Sequence, residues 1–590
     1  RPFCVSFTDQ DMNTIFFRWD YDVMTRGVSI TSSVLKQLQD IFNAEDTIYI
    51  AHNAKFDIGM LEAIGVKFSP TLKIYDTVVL AHVENNARPT YKLKPLCKKL
   101  LNFSDEDEKD LKASVITKRK IGKKFGWLLA DEVEGDYALA DVALCEIYAK
   151  KDTERCMLLY KYLIERVGVE QMPIFEMEIK LMKVLYSMES NGICIDIERA
   201  NELQAYYQDV INKNIQLKKD LNYNSLNTRS PKQMKKVFYD VLDADPVYVS
   251  SKDKNKVRTK KLTVNKTALN KWAETIPLAK AIVNINIAEH ELGSFVKPLR
   301  ELAILSSDSR IHPSYRQTGA VTGRLSCSEP NLQNISNTKE GVKGGVKLRA
   351  RELFVPAKDH VLYFPDYSQI EVWISAFCSK DVLMCESLTS GMDMHNKFNV
   401  EFYGHNEDFE RNKDMYRKKI KSATFCTIYG GGADALAGAI GCGRNEAYQF
   451  LDMFRATYKE LHQYGQDLAY VAREHGYIEN SFGRRYDVNE DTAYKALNFI
   501  IQGSAADVMK RALINLHDLF SYTTGAKLLL TIHDEVCIEV HKNYHSNDLM
   551  LKVINAMQGD LHTYFGMPKP FEVSMSLTDT RWSEKKEIKL

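Results

Sequence analysis

The sequence predicts an α/β, multidomain fold, and three observations predict it. The chain has 590 residues, about four times the usual length of a domain. Residues 1–100 interleave strand-like runs, Phe3 to Phe7 and Thr47 to Ala51, with helix-like ones. From about residue 311 onward, strand and helix patterns alternate again. A hydrophobic fraction of 45% and a charged fraction of 27% exclude disordered, collagen-like and mucin-like classes. No repeat of about 20–50 residues is visible, which excludes solenoids and propellers. No run approaches the ~18 apolar residues of a membrane span, so no membrane partner is expected. No basic-then-apolar leader is read at the start. Lys+Arg (79) and Asp+Glu (78) leave a net charge of +1, so a nucleic-acid groove would have to be a local concentration of charge. Eleven cysteines without a C-x-x-C pair read as buried, reduced thiols rather than a zinc or disulfide framework.

The elements follow in order. Residues 103–124 carry an acidic run, Asp105 to Asp110, and then Lys118-Arg119-Lys120 and Lys123-Lys124. That pattern reads as a solvated excursion, with a DNA-contacting patch as the alternative. Residues 170–220 have helical periodicity broken at Asn191-Gly192. Residues 227–262 are polar and lysine-rich, most densely from Lys254 to Lys261, and read as a linker or a phosphate-contacting tip.

The first candidate site residues end a short apolar run. Val361 to Phe364 leads to Asp366, and Tyr367 to Glu371 reads as a turn into a helix. The second apolar run, Leu528 to Ile532, is followed by His533-Asp534-Glu535 and then Val536 to Val540. Apolar residues flanking a three-residue polar tip predict a β-hairpin with Asp534 and Glu535 at its turn. Two strand-end carboxylates brought together repel unless a divalent cation lies between them. A pair of such ions ~4 Å apart suits phosphoryl transfer. Taken singly, each Asp is more often a turn residue or a helix cap.

Arg417, Lys421, Phe425 and Tyr429 recur every four residues. On a helix they form one face drifting ~40° per step and spanning ~18 Å. Two cations followed by two aromatics have the chemistry of a nucleoside triphosphate laid along a helix. The alternative is a surface helix with a few cations and core aromatics. Gly430-Gly431-Gly432 reads as a helix stop or hinge.

Together these segments resemble family A DNA polymerases, the DNA polymerase I group. Asp366-Tyr367-Ser368-Gln369-Ile370-Glu371 is similar to motif A, the Arg417 to Gly430 pattern to motif B, and His533-Asp534-Glu535 to motif C. Thr322 to Ser326 with Pro330 to Asn334, Gly391 to His395, Gly483-Arg484-Arg485, and Asn498 with Gln502 to Asp507 also match, in family order. The resemblance implies a right-hand architecture with an N-terminal ribonuclease H-like 3′-5′ exonuclease domain. It implies an exonuclease-like domain at 1–165 and a palm at 166–200, 306–385 and 495–590. It also implies a thumb at 200–305 and fingers at 386–494. Asp366 and Asp534, with the Tyr367 carbonyl, would hold two Mg²⁺ ions (Mn²⁺ as a substitute), and Glu535 would be a nearby, less essential carboxylate. Arg417, Lys421 and His395 would grip the triphosphate of a dNTP, Lys421 also protonating departing pyrophosphate. Phe425, Tyr429 and Gln369 would line the nucleotide pocket, and Glu371 would exclude a ribose 2′-hydroxyl. Arg324, Asn498, Gln502 and His533 would touch primer-template DNA. Val372-Trp373, where the family usually has Leu-Arg, and Tyr494, where a basic residue is common, depart from the pattern.

His52-Asn53-Ala54-Lys55-Phe56-Asp57 resembles exonuclease motif II, and Tyr148-x₃-Asp152 resembles motif III. Motif I, an Asp-x-Glu, has no match, and an N-terminal truncation with little or no proofreading is expected. The compact build most resembles phage replicative enzymes, with a cytoplasmic site of action (the host cytoplasm for a phage protein); accessory replication proteins are not readable. The expected activity is DNA-directed DNA polymerisation for replication. A single-subunit RNA polymerase is opposed by Glu371, and a non-catalytic DNA-binding replication factor by the full ligand set. A primarily exonucleolytic enzyme is opposed by the missing motif I.

Overall fold

The computed structural model describes residues 2–22, 27–104, 106–125, 137–252, 258–336, 345–392, 394–404, 410–522 and 525–590. Part of the Lys254 to Lys261 run, Asp105, Asp393 and the side chain of His395 therefore lie outside the described residues.

The N-terminal region is α/β. Strands Cys4–Thr8 and Thr14–Arg18 pair antiparallel, and Ile48–Ala51 pairs parallel with Lys73–Asp76. Helices Ser32–Phe42 and Ala54–Glu62 bury Leu38, Phe42, Ala54, Ile58 and Leu61 against these strands. Helix Val142–Ile164 packs on Cys4–Thr8. Residues 103–124 form no excursion. They belong largely to helix Glu106–Phe125, which buries Leu111 and Val115. The Asp107 carboxylate is buried against the Arg155 guanidinium at 2.5 and 2.7 Å, so one acidic residue of the charged run anchors the helix.

Helix Met172–Asn191 buries ten side chains, nine of them apolar, while Pro173, Glu176, Lys180 and Ser190 stay exposed along one face. It packs against helix Ala496–Tyr522 and strand Ala526–Ile532. The break read at Asn191-Gly192 is real: Gly192 has φ +57, and a Cβ there would lie 2.7 Å from the Ile311 carbonyl oxygen. Strand Ile193–Ile195 then precedes helix Ile197–Asp220. A second small core forms around Phe238 and Trp272, whose rings stack at 4.8 Å. The lysine-rich segment is partly a hairpin, Tyr248–Lys252 with Arg258–Leu262.

A five-stranded antiparallel sheet positions the candidate site. Its order is Ala526–Ile532, Glu535–His541, His360–Tyr367, Val573–Thr578, Lys586–Ile588. The central strand His360–Tyr367 is buried almost throughout, which explains its near-continuous apolar run. Pro365 has no N–H to donate, and pairing with Glu535–His541 lapses at Phe364–Pro365 before resuming at Asp366 opposite Glu535. All eleven cysteines are free. Among the described residues, no helix is long and apolar enough to cross a membrane.

Candidate active site

The strand Ala526–Ile532 and the strand Glu535–His541 are closed by the pair Ile532–Glu535. The turn is therefore two residues, His533-Asp534, with His533 at φ +56. This corrects the three-residue tip: Glu535 is the first residue of its strand. Its carboxylate is ion-paired with the Lys585 ammonium. The Tyr367 N–H donates to the Asp534 carbonyl at 3.2 Å and fastens the turn to the central strand. Burial first, then Glu535 and Asp534, pushes the Asp366 carboxyl up to about 7. Burial, with Glu371 adding to it against the opposing pull of Arg324 and Lys421, raises Asp534 to about 6. Neither makes an ion pair among the described residues, and no group of three His, Cys, Asp or Glu among them could hold a metal ion. Two half-buried, mutually repelling carboxylates still form the hard oxygen donor set that suits a divalent cation, which would relieve their repulsion.

Helix Ile370–Ser379 starts after Gln369, which sits at φ +55 with its Oε1 buried and unbonded. Glu371 lies in the first turn, where the helix dipole favours a carboxylate, and is 5% exposed. Arg324 donates to its Oε1 and the Tyr429 hydroxyl to its Oε2, so Glu371 closes a three-residue gate. Tyr429 caps helix Lys413–Ile428, which carries Arg417, Lys421 and Phe425 at successive turns. The helix ends there because Gly430 has φ +78 and a Cβ on Gly431 would meet the Cys426 carbonyl oxygen at 2.7 Å.

These residues line one cleft of about 680 Å³. Asp366, Tyr367, Gln369, Glu371, Lys421, Phe425, Tyr429, Arg324, His533, Asp534 and Glu535 all border it. Arg417, one turn before Lys421, does not line it, nor do Asn498 and Gln502. The Asn498 Oδ1 is buried without a hydrogen bond.

Two lining cations were missed in the sequence, Arg351 and Lys585. The Arg351 guanidinium lies 4.5 Å from the Trp582 ring centroid, and its Nε is buried and unbonded. Lys585 lies 4.8 Å from the Phe364 ring. Neither belongs to a local motif; Lys585, in the bend between the turn Trp582–Glu584 and strand Lys586–Ile588, reaches Glu535 50 residues back in the chain.

The exonuclease-like residues form a separate cluster. Tyr148 and Asp152 lie one turn apart on helix Val142–Ile164. Asp152 also faces Arg155 at 3.0 Å and the Lys94 ammonium at 3.8 Å. Lys94 lies 3.9 Å from the Tyr148 ring centroid. Asp57 is exposed on helix Ala54–Glu62, and no hydrogen bond or ion pair joins it to Asp152.

Behind the cleft lies a third cluster, fully buried. Arg484 pairs with Asp507 at 2.6 Å and with Glu178 at 2.5 Å, and Lys510 also pairs with Glu178. Gln317 donates to the same Glu178 carboxylate at 2.6 Å, and Asn480 to Asp507 at 2.8 Å. Every charge here is matched, as buried charges require.

The family model described as DNA polymerase family A matches residues 197–584, and that described as 3′-5′ exonuclease matches residues 7–167. Among curated proteins, DNA polymerase I of Pseudomonas aeruginosa is 29% identical over 532 residues, covering 87% of this chain and 54% of that protein. DNA polymerase I of Caldicellulosiruptor bescii is 27% identical over 568 residues, covering 93% and 58%. The Streptococcus pneumoniae DNA polymerase I is 31% identical over 414 residues, covering 68% and 45%. The chain thus spans about half the length of these relatives. The solved POL domain of Pol1 from M. smegmatis, in complex with DNA primer-template and dNTP, superposes with a TM-score of 0.78 at 22% identity. That match covers 98% of this chain and 93% of that one, a likeness of fold.

Proposed function

The chain belongs to DNA polymerase family A, and we propose that it extends a primer 3′-hydroxyl with dNTPs on a DNA template. The observation that carries this is the meeting, in one cleft, of Asp366 and Asp534 with Lys421, Phe425, Tyr429 and Glu371. The central sheet is the palm, helix Lys413–Ile428 belongs to the fingers, and residues 200–305 form the thumb. Asp366, Asp534 and the Tyr367 carbonyl would hold two Mg²⁺ ions, or Mn²⁺ in their place. Such ions, when bound, supply the charge that activates the attacking oxygen and steadies the leaving one.

The chain's own residues do the rest. Arg417, Lys421 and His395 bind the triphosphate, and the Lys421 ammonium hands a proton to departing pyrophosphate. Phe425 and Tyr429 pack against sugar and base, with Gln369 beside them. Glu371, fixed by Arg324 and Tyr429, occupies the space a ribose 2′-hydroxyl needs. Arg324, Asn498, Gln502 and His533 touch the minor groove and primer end, where acceptors are degenerate between A·T and T·A, so shape is tested without sequence. Closing of the fingers helix on a matched pair selects the nucleotide.

The exonuclease-like domain is read as inactive. Asp152 shares Arg155 with Asp107 and Lys94 with Glu108, so two cations already crowd the carboxylate that would hold a metal ion. Primer extension on a labelled primer-template with Mg²⁺, with and without dNTPs, tests both readings. Extension with dNTPs and an intact primer without them is the expected result. No extension overturns the polymerase reading; primer shortening overturns the inactive exonuclease.

A further inference from the structure

The peptide of Tyr315 is gripped from two sides. Lys55, in the N-terminal region on helix Ala54–Glu62, is paired with the Glu189 carboxylate and donates to the Tyr315 carbonyl at 2.5 Å. Glu189, near the end of helix Met172–Asn191, accepts the Tyr315 N–H at 2.6 Å. Lys55, Glu189 and the Tyr315 main chain thus close a ring of three charge-assisted contacts. The Tyr315 side chain is buried and points the other way, toward strand Ala526–Ile532. Its hydroxyl accepts the Thr531 N–H at 3.1 Å and donates to the Thr531 carbonyl at 3.3 Å. That strand is the outermost of the sheet. One phenol therefore satisfies both outward-facing groups of Thr531, which would otherwise be buried and unpaired. His533 and Asp534 are the second and third residues after Thr531, and the two-residue turn has no slack to absorb a shift.

We propose that Lys55 is a positioning residue for the polymerase centre, acting through Tyr315 and Thr531 to fix the turn that presents Asp534. The N-terminal domain is, on this inference, a brace for the palm whatever its own chemistry. The inference rests on the polymerase reading above. Removing the ammonium leaves a half-buried Glu189 carboxylate without its cation and a carbonyl without its donor. The Tyr315 peptide is then free to rotate, and a displacement below ~1 Å at a reacting group is already costly.

The test compares the full chain with Lys55→Met, Lys55→Arg, Tyr315→Phe and the double variant Lys55→Met/Tyr315→Phe. Single-nucleotide incorporation gives kcat and KM for dNTP, Mn²⁺ titration calorimetry without DNA gives cation affinity, and thermal unfolding tracks folding. Lys55→Met is expected to lower kcat by about tenfold with KM changed by less than about twofold, and to weaken Mn²⁺ binding by about threefold. Lys55→Arg restores most of both. The double variant is no slower than the slower single variant, because both break the same chain of contacts. Wild-type kcat and Mn²⁺ affinity in Lys55→Met overturn the proposal. So does an additive double variant, or a loss that follows unfolding and is not restored by Lys55→Arg. If the wild-type chain extends no primer, the polymerase reading fails, and Mn²⁺ affinity still decides the role of Lys55.

Discussion

In the cleft, Asp366 and Asp534 have no ion-paired cation among the described residues, and burial first, then neighbouring carboxylates, lifts their carboxyls to about 7 and about 6. In the N-terminal domain, Asp152 stands between Arg155 at 3.0 Å and Lys94 at 3.8 Å. Burial lifts its carboxyl too, and those two cations pull it back. Both regions bury acids, but only the first leaves them without an ion-paired cation among the described residues; in the second, Asp152 shares Arg155 with Asp107 and Lys94 with Glu108. An unmatched buried charge is costly, and folded chains keep it where a ligand completes it. The third cluster, around Glu178, marks the other limit: every charge is matched, and none of its residues lines the cleft.

The sharpest way to break this comparison is to remove one acid from each region. Asp534→Ala is expected to lower primer extension by about 10³-fold or more. Asp152→Ala should leave extension within about twofold of wild type. Equal losses in the two variants would erase the distinction. Next in size is the matched cluster. Glu178→Gln strips a buried carboxylate from Lys510 and Arg484, and denaturant unfolding should show a loss of about 3–5 kcal/mol. Burial alone would raise this carboxyl, but Lys510 and Arg484 hold it down at about 2, below its ordinary 4.5. A lowered carboxyl contributes stability that is fully present above pH 4.5 and lost as pH falls through 2. The gap between wild type and Glu178→Gln should therefore close on acidification through that window, and a gap that widens there would contradict the matched-charge reading.

Smaller effects sharpen the picture inside the cleft. Glu371→Ala opens the gate formed with Arg324 and Tyr429, and incorporation of rNTP relative to dNTP should rise by about 10–100-fold. An unchanged ratio in competition assays would remove Glu371 from sugar selection. Lys585→Ala frees the Glu535 carboxylate and should change kcat by no more than about threefold, with a shift in the Mg²⁺ concentration for half-maximal rate. A loss as large as that of Asp534→Ala would make Lys585 part of the centre itself.

The chain's periodicity made much of this legible. Asp366 and Asp534 stood out because apolar runs flank them, and helix Lys413–Ile428 because its cations and aromatics recur every four residues. Glu535 was misplaced for a physical reason: three polar residues in a row resemble a turn, but pairing with Ile532 draws the third into the strand. Helix Glu106–Phe125 was hidden because its anchor, Asp107, finds Arg155 48 residues away, a contact that no local pattern records. Arg351 and Lys585 were invisible for the same reason, since they reach the cleft from outside the sheet and from distant parts of the chain. The Glu178 cluster joins partners more than 300 residues apart in sequence.

The capped outer strand has a consequence beyond positioning. An exposed strand edge is a template on which another chain can add a strand, and unprotected edges drive aggregation. Here Tyr315 occupies both free groups of Thr531, and the Asn191 side chain donates to the Leu528 carbonyl at 2.9 Å. This edge of the sheet is thus guarded against strand addition by side chains at Leu528 and Thr531. Tyr315→Phe should make the protein more prone to self-association during refolding, read by light scattering.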